Sequence, residues 1–369
     1  MSACRPASVG TGVRIDRPEG VWYPAARLQY IPFIPSPYRR SKEMVDLMKV
    51  LLRERDLSED YVRFAAQIGA DGFDVHNPKN VPGVAERGYA DERGVRALLD
   101  KLRRWGLGVY RVAPPDPDNY LLGQPGGDVE VDNLCRTLEA LGRAGVPFMS
   151  TPLHLVHLGS NPGHRGAVVG VHRGGYTMHA IDLSAMRRSL AAKPPEFVVD
   201  VEAHFERCVR LLERLVPIAE AYDIRLITHP SDPPLPETEL SPKRWSKILD
   251  AVPSTHSGLL YCVGTRYESG ANVYDDIRAF GRRGKIFHVH FRNVRGTLPT
   301  HGGYEEVALG DGDMNMFRVL QTLKSVGYDG ALQIDHLPRY DGDTTFQGIA
   351  SAYGVAYVKA LLAALEVTG

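Results

Sequence analysis

Four short, mostly apolar runs in the second half of the chain, IRLITHP, SGLLYC, KIFHVHFRNV and ALQIDH, are separated from one another by stretches of helical spacing. Each run carries, at or near its C-terminal end, a side chain able to bind a divalent metal: His229, Cys262, His290 and Asp335. Short apolar segments alternating with amphipathic helices are the pattern of parallel βαβ units. In a closed barrel of parallel strands all the C-terminal ends open on one face, so four ligand-type endings on consecutive strands would converge on one point.

The same rhythm runs through the first half. LQYIPF, Leu28–Phe33, is a possible first strand, although Pro32 weakens it. Lys42–Arg55 has helical spacing, and Ser58 is placed to cap a helix that closes at Gly69. GFDVHN at 72–77 alternates as a strand, with Asp74 and His76 on one face, and LGVYRVAP at 107–114 and VPFMSTP at 146–152 follow as the third and fourth strands. Eight strand–helix alternations predict an α/β fold, a (β/α)8 barrel. The rival open, doubly wound sheet lacks a G-x-G-x-x-G after any strand.

The period fails between 153 and 198, a glycine-rich insertion with His154, His157, His164, His172 and His179. Because it follows the fourth strand on the side where a barrel opens, it is expected to act as a lid. Residues 1–22, rich in Gly, Pro, Ser and Arg, are expected to form a loose arm, with residues 23–369 as a single barrel domain.

The totals exclude some partners. Forty-four basic side chains balance 44 acidic ones, which argues against nucleic acid as a partner. Cysteines 4, 135, 208 and 262 form no C-x-x-C pair and are too scattered for a disulfide framework, so a reducing compartment is expected. The N-terminal twenty residues lack the apolar centre of a secretory signal, and no run of about 18 apolar residues occurs, so the expectation is a cytoplasmic chain with no membrane partner.

Strand parity sorts the candidates for chemistry. His288, His290 and Arg292 share a face, with His290 near the mouth and His288 a layer deeper, where it is set aside as a decoy. Two imidazoles, a thiolate and a carboxylate suit Mn²⁺, Fe²⁺, Co²⁺ or Zn²⁺ rather than Ca²⁺. Arg292 and Asn293 could grip a substrate carboxylate or hydroxyl at the mouth, or the arginine could pair with an acidic loop residue. Asp232 could orient His229 or shape a turn. GDGD at 310–313 lacks the spacing of a calcium loop and is read as a turn capping a helix.

HPSDPP at 229–234, FHVHFRNV and VGYDGALQIDH together resemble motifs of the mannonate dehydratase family, metal-dependent sugar-acid dehydratases built on a TIM barrel. The resemblance covers roughly residues 130–365. It implies His229, Cys262, His290 and Asp335 as metal ligands, with Mn²⁺ as the first choice of ion. Ser231 stands in the place of the family's first acid, Gln333-Ile334 in the place of its Arg-Pro, and Gly303-Tyr304-Glu305 in the place of a Phe-His-Glu segment.

The function expected is elimination of water from a sugar acid such as mannonate or a related aldonate through a metal-stabilised enolate. His336, Arg292 and the lid residues Tyr176 and His179 are the candidates for handling substrate and protons. A metal-dependent sugar isomerase or epimerase, or a barrel that binds metal or sugar without turnover, are the alternatives. By analogy with barrels of this kind, a homo-oligomer is expected.

Overall fold

The computed structural model describes residues 48–155, 166–193, 199–235 and 242–368. The proposed arm, the candidate strand Leu28–Phe33, His157 and His164 lie outside the described residues.

Twelve strands occur among the described residues. They are β1 (Lys49–Arg53), β2 (Gly72–Val75), β3 (Gly108–Val112), β4 (Phe148–Ser150), β5 (Ala167–Val171), β6 (Thr177–Asp182), β7 (Arg225–Thr228), β8 (Ser257–Cys262), β9 (Ile286–Phe291), β10 (Asn293–Arg295), β11 (Gly303–Val307) and β12 (Ala331–Ile334). Eight of them close a barrel in the order β1-β12-β9-β8-β7-β4-β3-β2. Every neighbouring pair in that ring is parallel, including β1 with β2, which leaves the ring without an edge.

One expectation is overturned at the start of the ring. The strand that closes the barrel is KVLLR, inside the stretch whose spacing suggested a helix. Val50, Leu51 and Leu52 are all buried, the mark of a parallel strand covered on both faces, and such a run is indistinguishable by period alone from a piece of buried helix.

Alternation then builds two separate packing zones. Val50, Leu52, Phe73, Leu226, Tyr261, Val289, Phe291 and Leu332 turn outward into the core shared with the helices. Ile227, Leu260 and Phe287 form a small apolar cluster of their own, packed with Phe148. The final helix, Gly348–Thr368, is long and apolar enough over Gly348–Val367 to cross a membrane by length and composition, although Lys359 and Glu366 interrupt its apolar run. Here Val355, Val358, Leu362 and Leu365 enter the outer core.

The described part of the insertion after β4 is not irregular. It holds β5, β6 and the helix Leu183–Ala192. β6 pairs with β11 and β11 with β10, giving a four-stranded antiparallel sheet in the order β10-β11-β6-β5. Its regularity escaped the sequence because β5 exposes Val168, Val169 and Val171 and buries only Gly170, so no apolar face alternates. Since β10 starts two residues after β9 ends, this sheet is rooted at the C-terminal mouth of the barrel.

Candidate metal centre

Three of the four expected ligands meet. One ligand atom each from His229, Cys262 and His290 lie within 4.8 Å of one another. The backbone explains the meeting: Cys262 ends β8 directly opposite His290 of β9, and His229 follows the last residue of β7, the strand on the other side of β8. The His229 and His290 rings lie 5.1 Å apart between centroids.

The protonation of this group fits a cation. His229 Nδ1 lies 2.5 Å from the Pro230 carbonyl, which only accepts, so Nδ1 carries the hydrogen and Nε2 keeps its lone pair. Burial, with His290 and His154 nearby, holds the His229 pKa well below the usual histidine value. Burial likewise lowers that of His290, against the pull of Asp335, and neither ring nitrogen of His290 completes a hydrogen bond among the described residues. Sγ of Cys262 accepts from Thr265 N at 3.4 Å and from Thr265 Oγ1 at 3.1 Å, a pattern suited to a thiolate. Burial pushes the thiol up to about 12, so it is the field of a bound cation that would hold it ionised. Two neutral imidazoles with unused lone pairs and a sulfur that receives hydrogen bonds form a donor set for a divalent transition metal.

Asp335 stands beside this triplet. Its Oδ2 lies 3.3 Å from His290 Nδ1, 3.5 Å from Arg292 Nε and 3.6 Å from His336 Nε2. Burial alone would raise its pKa, but His290, His336 and Arg292 hold the carboxyl well below the usual range.

Arg292 is enclosed by acids. Its guanidinium bonds Glu268, donates to Asp232 Oδ2 at 2.8 Å and Thr265 Oγ1 at 2.8 Å, and lies 3.4 Å from Glu306. Of the two readings the sequence left open for Arg292, pairing with acidic residues is the one the geometry displays. Gly264 makes room for it, since a Cβ there would come within 2.6 Å of Nη1. Asp232 is bonded to Arg292 and, at 3.2 Å, to the Tyr304 hydroxyl, so it braces the arginine instead of orienting His229. Asn293 donates to the carbonyls of Leu309 and Met314 and shapes the loop after β11. In the GDGD turn the helix cap itself is Asn315, while Asp311 and Asp313 bond the surrounding loops.

The remaining candidates separate. His336, with a left-handed φ of 49°, turns Nδ1 to Glu306 Oε1 at 2.6 Å and Nε2 toward Asp335. Burial opposes a charge on it, but Asp335 and Glu306 prevail and push its pKa up to about 10. His179 of β6 brings Nδ1 to 3.8 Å from the same Glu306. Tyr176 is committed elsewhere: its hydroxyl donates to Asp311 Oδ2 at 3.0 Å and accepts from Ala308 N.

A second buried polar group sits in the barrel, and sequence reasoning passed over it. Asp74 Oδ2 accepts from His288 Nε2 at 2.7 Å and from Arg111 Nε at 3.0 Å, and Arg111 also meets His76 Nδ1 at 3.0 Å. The shared face of Asp74 and His76 in GFDVHN was the signal; their partners lie on β3 and β9, out of reach of any local pattern. His288 is thereby a hydrogen-bond partner of Asp74, and ligand atoms of these two and of His290 also lie within 4.8 Å of one another.

The model of the D-mannonate dehydratase (UxuA) family matches residues 182–368, a span that contains every member of the triplet together with Asp335, Arg292, Glu306 and His336. The mannonate dehydratase of Thermotoga maritima is 31% identical over 179 residues, 46% of this chain and 49% of that protein, so the match spans about half the length of such curated relatives. The mannonate dehydratase of Brachyspira hyodysenteriae is 25% identical over 320 residues, 75% of this chain and 88% of that protein. Among solved structures, mannonate dehydratase from Streptococcus suis serotype 2 superposes with a TM-score of 0.72 at 21% identity, covering 88% of this chain and 97% of that one. A D-psicose 3-epimerase from Clostridium cellulolyticum H10 gives 0.58 at 13%, covering 85% and 99%. These two likenesses establish the shared barrel fold.

Proposed function

We propose, since this chain belongs to the D-mannonate dehydratase (UxuA) family, that it is a carbon–oxygen lyase that removes water from a sugar acid such as mannonate or a related aldonate. The observation that carries this reading is the triplet His229, Cys262 and His290 at a barrel mouth, with Cys262 and His290 buried, both ring nitrogens of His290 unsatisfied among the described residues, and all three inside the family match.

These three residues would hold a divalent metal, Mn²⁺ by preference, with Asp335 as the fourth candidate ligand. A cation there supplies Lewis acidity, drawing electron density from bound substrate oxygens and so acidifying the proton alpha to the carboxylate. The chain's own residues do the rest. Glu306, anchored on β11, fixes the His336 ring through Nδ1 and leaves Nε2 to carry a proton at the mouth. His179 approaches the same carboxylate from β6 and is the candidate for the complementary proton transfer, one group serving as base and the other as acid on the departing hydroxyl. Arg292 holds Asp232, Glu268 and Glu306 in place around them. The sheet carrying His179 covers part of the mouth and restricts water, the role we assign to the insertion.

The test is incubation of purified, Mn²⁺-loaded protein with a panel of aldonates, read by mass spectrometry. Loss of one water with appearance of a 2-keto-3-deoxy acid is expected; silence across the panel overturns the reading, and a product of unchanged mass would make the protein an isomerase or epimerase. A cytoplasmic homo-oligomer is part of the same proposal, checked by light scattering on the purified chain.

A further inference from the structure

Arg53 ends β1, the strand next to β12 in the ring and therefore next to the one that delivers Asp335. Val50 and Leu52 turn outward into the core under the helices, whereas buried Leu51 does not join that core, so Leu51 and Arg53 share the inward face. Two registers agree with this. Against β2, Arg53 is opposite Asp74, whose carboxylate reaches into the barrel to His288. Against β12, Leu51 faces Gln333 and Leu52 faces Ile334, so one further step brings Arg53 level with Asp335.

The neighbouring cations are already neutralised. Arg111 is held by Asp74, and Arg292 by Asp232, Glu268, Glu306 and Asp335. His76 is kept uncharged, its pKa lowered to about 2 by burial and by Arg111 and Arg53. Arg53 is partly buried, and its guanidinium makes no hydrogen bond or ion pair among the described residues. Burial lowers its pKa, with Asp335 pulling the other way. Holding such a charge partly out of water is unfavourable unless an anion joins it, and the planar fork of a guanidinium matches a carboxylate in two parallel hydrogen bonds. Arg53 also lies outside residues 182–368, in the part of the barrel that the family model does not match.

We infer that Arg53 binds the carboxylate of the substrate at the barrel mouth, beside the His229–Cys262–His290 triplet, and so selects polyhydroxy monocarboxylates over neutral sugars and alditols of the same length. This rests on the reading that the substrate is a sugar acid. Arg53 is a binding and positioning residue, so its loss acts on affinity more than on turnover.

The experiment compares the metal-loaded wild type with Arg53→Met and Arg53→Lys. Binding of D-mannonate, D-gluconate and D-mannitol is measured by calorimetry, alongside kcat and KM, metal content and the unfolding midpoint. Expected in Arg53→Met are an aldonate Kd and KM raised about 10- to 100-fold, the range for losing a charge-assisted pair, with kcat within a few-fold and mannitol binding unchanged. Arg53→Lys should recover part of the loss, and both variants should keep the wild-type metal content and midpoint. Unchanged aldonate affinity in Arg53→Met overturns the inference, as does a parallel loss of mannitol or metal binding. So does a wild type that binds no aldonate, or binds aldonate and mannitol equally. If the wild type binds aldonates without forming product, the lyase reading fails while the Arg53 comparison still decides this one.

Discussion

Cys262 and His290 face each other across adjacent parallel strands, the sulfur and the ring brought together by the β8–β9 register. A pair set by backbone register is pre-positioned, so losing one member should cost metal binding without disturbing the barrel. Cys262→Ser is expected to lower the metal retained after dialysis at least tenfold, measured by elemental analysis, while far-UV circular dichroism stays as in the wild type. Loaded with Co²⁺, the wild type should show a sulfur-to-cobalt charge-transfer band that the variant lacks. Equal retention and an unchanged spectrum would remove Cys262 from the site.

Arg292 gives the opposite expectation. Its side chain is buried among carboxylates from four other segments, so Arg292→Met strands charges that have little water to turn to. Removing one partner of such a network costs about 3–5 kcal/mol, and the unfolding midpoint should fall sharply even in the absence of any ligand. Gly264→Ala, which places a Cβ 2.6 Å from Arg292 Nη1, should produce a milder form of the same loss. A midpoint unchanged in Arg292→Met would return the residue to the role of a substrate grip.

The Glu306–His336 pair should show itself in rate. With metal content unchanged, His336→Gln is expected to lower kcat on an aldonate by about 10²- to 10⁴-fold, the usual span for a lost proton-transfer group. Glu306→Gln, which keeps the shape but weakens the hold on Nδ1, should cost less than His336→Gln. A larger loss in Glu306→Gln would mean that the carboxylate itself handles the proton.

Asp74 predicts a dependence on acid. Burial would raise its carboxyl, yet His288 and Arg111 hold it down at about 2, below the ordinary 3.8. A depressed folded-state pKa gives stability that is complete above the unfolded value and lost as pH falls through the folded one, here between about pH 4 and pH 2. The depression corresponds to roughly 2 kcal/mol. Denaturant unfolding at pH 7, 5 and 3 should therefore show Asp74→Asn less stable than the wild type at the two higher values, with the gap narrowing at pH 3. A constant gap would mean that the charge of Asp74 contributes nothing.

The parts of this molecule that could be read in its sequence are those whose geometry is local to one strand. His229, Cys262, His290 and Asp335 were legible because each lies at or near a strand's C-terminal end, and the closed ring turns four separate ends into one neighbourhood. The company of Arg292 was not legible, since Asp232, Glu268 and Glu306 come from three segments joined only by the fold. KVLLR was misassigned because Val50 to Leu52 are buried on both faces and carry no alternation. Tyr176, a proton-handling candidate on the sequence, has its hydroxyl occupied by Asp311, a residue 135 positions away that no local pattern could bring to it.

The sheet proposed to cap the mouth is assembled from two distant pieces: β6 ends at Asp182, and its partner β11 begins at Gly303. As the chain emerges from the ribosome, the hairpin of β5 and β6 must wait, one flank unpaired, until three further staves of the barrel, β7, β8 and β9, have been made. The order of synthesis thus finishes β7, β8 and β9, which bring the proposed ligands to the mouth, before the proposed cover can be completed, so a cation would find its donors while the mouth still stands open.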